Sequence, residues 1–125
     1  MTDAALRGIN PSGVEVPVKV DANSNLALSA FAAVTFTHTA VNATTSDAQV
    51  LAANANRKYL LVINDSDTVI YLMVGGTAVA NQGIRLNANG GNFEMSLAMG
   101  NLSTAAIRAI HAGTGNKALL FTEGV

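Results

Sequence analysis

The chain has 125 residues, no cysteine, and seven basic residues against eight acidic ones. This is one domain's length, able to bury a core without metal or disulfide, and it excludes thiolate metal sites and thiol nucleophiles. A net charge of −1 without a block of either sign lacks the clustered Lys and Arg that displace counterions from nucleic acid, so no nucleic-acid partner is expected.

Taken in chain order, the first element is an alternation. Val14, Val16, Val18 and Val20 alternate with Glu15, Pro17 and Lys19, a period-2 strand with one apolar face. Pro17 cannot donate to a ladder, which places this strand at an edge or in an arm. Asp21-Ala22-Asn23-Ser24-Asn25 reads as a turn, after which Leu26 and Leu28 resume the alternation. The expected product is a two-stranded hairpin arm that needs a neighbour, because such hairpins are marginal alone. Val34, Phe36, His38 and Ala40 then alternate with threonines, another strand pattern. Residues 42–47 form a Thr/Ser/Asn linker, the expected boundary between an arm (1–46) and a domain (47–125).

In the domain, strands are predicted at 49–51, 58–64, 69–74, 84–86, 92–95, 107–112 and 118–123, with Gly and Asn clustered between them. Two apolar runs, Tyr59 to Ile63 and Val69 to Val74, flank Asn64-Asp65-Ser66-Asp67, whose side chains can bond the backbone two residues on. That tetrad is expected to pair the two runs as an antiparallel hairpin. Residues 102–111 also contain good helix formers behind Ser103, leaving a helix as the alternative to a strand there. Short strands at this spacing predict an all-β fold, an antiparallel β-sandwich of jelly-roll-like or immunoglobulin-like type, with an N-terminal hairpin arm.

Candidate chemistry is sparse. Gly113-Thr114-Gly115-Asn116-Lys117 lacks the Gly-Lys-Ser/Thr of a phosphate loop and leads into a strand, so it reads as a hairpin turn. Asn64, Asp65 and Asp67 bring oxygens together, but without the glycine and distal glutamate of a calcium loop. His38 and His111 have no second ligand at i+2 or i+4, and no Gly-x-Ser-x-Gly elbow exists for a serine triad. No catalytic, cofactor-binding or metal-binding residue is therefore assigned, and the chain is expected not to be an enzyme. The six aromatics and Met73, Met95 and Met99 are expected to fill the core. Arg57 and Arg85 are expected on the surface, pairing with Asp65, Asp67 or Glu94.

Charged residues make up 12%, about half the usual share, so part of the surface is either Ala, Thr, Asn and Ser or, the preferred reading, buried against other chains. The first residues lack a basic start with an apolar run behind it, so no signal peptide is expected, and no apolar run is long enough to span a bilayer.

Two segments resemble small structural proteins of tailed bacteriophages. One is Arg57-Lys58, the strand Tyr59 to Ile63, Asn64-Asp65-Ser66, Ile70-Tyr71-Leu72, Gly75-Gly76-Thr77-Ala78, Gly83-Ile84-Arg85-Leu86 and a Gly-rich turn. The other is Gly8 to Leu26, similar to an opening arm of such proteins, with Ser24 where a turn glycine is usual. The resemblance implies a non-enzymatic virion protein assembled in the host cytoplasm, foremost a capsid decoration (cement) protein. The runner-up is a neck, tail or fibre-attachment component, and a carbohydrate- or ligand-binding module comes behind both. The implied partners are the major capsid protein or neck and tail proteins, and other copies of the chain, with a trimer favoured by analogy. The arm residues Val14, Val16, Val18, Val20, Leu26 and Leu28 would make the partner contacts.

Overall fold

The computed structural model describes residues 7–9, 15–17, 32, 33 and 35–125. The chain forms two compact units, Met1–Ala30 and Phe31–Val125. In the first, β1 (Arg7–Ile9) pairs antiparallel with β2 (Glu15–Pro17), setting Gly8 opposite Val16. An amino-terminal hairpin is thus present, formed by β1 and β2, whereas the expected one joined residues 14–20 to Leu26 and Leu28. Those two leucines, with Val14, Val18 and Val20, lie outside the described residues; Val16 is in β2.

The second unit holds β3 (Phe36–Ala43), β4 (Ala48–Leu51), β5 (Tyr59–Asn64), β6 (Ile70–Val74), β7 (Ile84–Leu86), β8 (Asn92–Ser96), β9 (Ile107–His111) and β10 (Lys117–Gly124). They make two antiparallel four-stranded sheets, β3-β10-β5-β8 and β4-β9-β6-β7. Every connection in this unit except β6–β7 crosses from one sheet to the other. This is a jelly-roll sandwich. The period-2 pattern drives it: along β5, Leu60, Val62 and Asn64 point inward, while along β9 Ile107, Ala109 and His111 do so. Leu60, Val62, Met95, Leu119 and Phe121 from the first sheet meet Ile70, Leu72, Leu86, Ile107 and Ala109 from the second. Each such large side chain contributes about 1.5–3 kcal/mol by leaving water.

Three sequence expectations are corrected, and the helical alternative at 102–111 gives way to the expected strand. β5 and β6 do not form a hairpin; they lie in opposite sheets, and Asn64 to Thr68 is the corner between them. Gly113 to Asn116 is likewise a corner from β9 to β10 rather than a hairpin turn. Residues 102–111 contain no helix, because Ile107, Ala109 and His111 supply one inward face of a strand. Lastly, β3 pairs with β10 through all eight of its residues, so the sandwich includes β3 and begins upstream of the 42–47 linker.

Candidate interaction surface

The two outer faces of the sandwich differ. On the second sheet, Gln49 lies beside Arg108, and Tyr71 beside Arg85. Arg108 donates from Nε to both carboxyl oxygens of Asp47, at 2.8 and 2.9 Å, and Asp47 Oδ1 also accepts the Ala78 N–H at 2.7 Å. The Arg108 bonds, then the Ala78 N–H, hold the Asp47 carboxyl below its ordinary range, and Asp47 raises Arg108 in turn.

The first sheet turns a nearly uncharged face outward. Its register sets three rows across it: Phe36, Gly124, Tyr59 and Ser96; His38, Thr122, Leu61 and Glu94; Ala40, Leu120, Ile63 and Asn92. Phe36 is 50% exposed and Leu120 37%. A shallow groove of about 400 Å³ lies over His38, Ala40, Ile63, Leu120 and Thr122. His38 Nδ1 and Thr122 Oγ1 share a hydrogen bond at 2.9 Å.

Gly124 is needed in the first row, since a Cβ there would sit 2.6 Å from Ala33 Cβ and 2.9 Å from the Phe36 ring. The Phe36 ring instead meets Tyr59 edge-on, with centroids 5.9 Å apart. The Tyr59 hydroxyl donates to Glu94 at 2.6 Å, and this bond raises its pKa above the ordinary 10.0. The expectation of core aromatics therefore holds for Phe121 and in part for Phe93, whereas Phe36, Tyr59 and Tyr71 stand on outer faces.

Arg57 is not a surface residue. It is 2% exposed. Its Nε donates to Glu123 at 2.6 Å, and its terminal nitrogens donate to the carbonyls of Ala52, Ser103 and Ala105 at 2.8, 2.8 and 2.9 Å. Asn54 Nδ2 donates to the other Glu123 oxygen at 3.0 Å. The planar fork thus ties two loops to β10, a job its fixed donors suit. The only sequence signal for it was its recurrence in the resembled module. Arg85 stays exposed on β7.

Asn64 plays a similar part at the β5–β6 corner and is fully buried. Its Nδ2 donates to the Thr68, Leu86 and Asn87 carbonyls at 2.8, 3.1 and 3.1 Å. Its Oδ1 accepts the Ser66 N–H and hydroxyl at 3.1 and 2.7 Å. With Asn64 turned inward, Asp67 instead pairs with Lys117 at 2.7 Å, which lowers its pKa. His111 is buried, and its Nδ1 accepts the Gly113 N–H at 3.1 Å. Nδ1 being the acceptor, the neutral ring carries its proton on Nε2, which has no partner among the described residues. Among those residues no three His, Cys, Asp or Glu side chains converge as metal ligands.

Comparison with protein-family models, with curated proteins and with solved structures finds no match to this chain.

Proposed function

We propose that this chain is a non-enzymatic structural protein of a tailed-phage virion, serving as a capsid decoration protein. The observation that carries the reading is the run from Arg57 to Leu86, with its Asn64-x-Ser66 and Gly83-Ile84-Arg85-Leu86 elements. Several of these residues serve the sandwich itself. Arg57 and Asn64 are buried anchors, and Gly83 has a φ of +76° where a Cβ would lie 2.4 Å from the Leu72 carbonyl oxygen. The run is thus a signature of the fold first, and the surface must supply the function. The nearly uncharged outer face of the first sheet is the area offered to the shell, and Met1–Ala30, a unit of its own, is the arm that reaches a neighbouring subunit.

The test is direct. Mass spectrometry and electron microscopy of purified particles should find the chain on the capsid surface, in many copies. A chain lacking residues 1–30 should fold with an unchanged melting profile and be missing from particles. Location at the neck or tail would favour the runner-up, and absence from particles would refute the virion reading.

A further inference from the structure

In the sandwich four strands lie at sheet edges: β3 and β8 in the first sheet, β4 and β7 in the second. An edge strand presents unpaired backbone donors and acceptors, and proteins blunt such edges by shortness, bulges or charge. Three of the four are blunted. β7 has three residues, β4 shifts register between Gln49 and Leu51, and β8 carries Glu94. β3 has none of these devices. Its sequence Phe-Thr-His-Thr-Ala-Val-Asn-Ala contains no Lys, Arg, Asp, Glu, Pro or Gly, and residues 36–40 are all exposed.

Its hydrogen-bond phase follows from one pair. Thr35 and Val125 exchange N–H···O bonds in both directions, at 3.0 and 2.9 Å. Bonded and non-bonded pairs alternate along an antiparallel ladder. Thr37, Thr39, Val41 and Ala43 therefore turn their backbone groups to β10. Phe36, His38, Ala40 and Asn42 turn theirs outward, where no described residue pairs with them.

We infer that this edge is a contact between two copies of the chain, β3 pairing antiparallel with β3 across a two-fold axis. Self-pairing must join outward-turned residues to outward-turned residues. One register engages all four: Phe36 faces Asn42, His38 faces Ala40, and Thr39 faces Thr39 of the second copy. No like charges meet, and histidine does not face histidine, as it would in the register two residues away. A β-branched Thr pair at the centre is a favourable cross-strand match. The strand is thus complementary to itself in both backbone and charge, which selects a second copy as its occupant. The two first sheets then join into one continuous sheet, with the apolar Ala40–Leu120–Ile63 row of each copy beside the junction. The contact makes a dimer where the phage resemblance implies a trimer, and it does not depend on the virion reading.

The test uses the full chain, which has no native thiol. Facing Thr39 residues form a non-bonded pair with Cα atoms about 4.5 Å apart, within disulfide range. Under mild oxidation Thr39→Cys should form a covalent dimer, while Thr37→Cys, which would face Val41, should link at least about tenfold more slowly. Ala40→Lys, at an exposed position, should weaken association about tenfold or more while leaving the melting temperature of the chain diluted to monomer unchanged, and should suppress linkage through Thr39→Cys. His38→Lys should act in the same way. Sedimentation of the unmodified chain as a dimer supports the inference. A monomer or a trimer, or equal linkage at positions 37 and 39, overturns it.

Discussion

Replacing Arg57 by Met removes one charge from a place that water barely reaches. The side chain is fully buried. Its loss strips Glu123 of its ion-pair partner and leaves the Ala52, Ser103 and Ala105 carbonyls without their donor. Breaking a buried pair from one side costs about 3–5 kcal/mol, and each buried carbonyl left unpaired can add about 1–3 kcal/mol. These costs do not sum. Glu123 keeps Asn54 as a donor and is itself partly exposed. A loss of about 3–5 kcal/mol is therefore expected, a large part of the roughly 5–15 kcal/mol that holds a domain folded. For a unit of this size, it should lower the melting temperature by about 12 °C or more.

Denaturant unfolding should show the midpoint falling with an unchanged slope. Arg57→Lys should recover only part of the loss, since an ammonium cannot reproduce the planar fork. Adding Glu123→Leu to Arg57→Met should restore part of the stability, because an apolar pair leaves no stranded charge. A loss below about 1 kcal/mol for Arg57→Met, the level of an exposed pair, would refute the reasoning. So would a double variant less stable than the single one.

The β5–β6 corner makes a sharper contrast. Asn64→Ala should cost about 1–3 kcal/mol by orphaning buried carbonyls, and Asn64→Asp more, since a carboxylate would face them. Asp65→Ala, exposed at the same corner, should change stability by about 0.5 kcal/mol or less. Added calcium should leave the melting temperature unmoved, and a calcium-dependent rise lost in Asp65→Ala would establish a metal site there. Asp47 and Asp67 both have folded-state pKa values below the ordinary 3.8. Their stabilisation is therefore complete above that value and is lost as pH falls through the lower folded values. In Asp47→Asn/Asp67→Asn the melting temperature should fall less steeply with acid below about pH 4 than in the unmodified chain. An equally steep fall would mean that other groups govern the acid limb.

The strands were legible because burial writes itself into the chain with a period of two. Residues 84–86 were read as the strand that is found, and the other sandwich strands from β4 onward lie within about two residues of their predicted limits. Connectivity was not legible. Asn64-Asp65-Ser66-Asp67 carries the same local turn signal whether it closes a hairpin or rounds a corner. The choice is made by Leu86 and Asn87, whose carbonyls accept from Asn64 across a long stretch of chain. Arg57 was misplaced for the same reason: its partner Glu123 lies on the last strand. Low charge did announce an unusual surface, but composition cannot say which face is bare. The register does so, by setting Leu61, Ile63 and Leu120 on the outer side of one sheet.

The place of β10 bears on how the sandwich comes into being. The last strand is inserted between β3 and β5, so it is flanked on both sides by chain laid down long before it. Until it arrives, β3 has no neighbour in its sheet and β5 has only β8. Ordering β10 closes long loops before any contact rewards the closure, a topology that folds slowly. During that delay the uncharged β3 is open to any extended segment nearby, so newly made chains are exposed to off-pathway aggregation. Refolding yield should fall as protein concentration rises, and substitutions that unsettle β10 should slow folding before they alter the shape of the finished molecule.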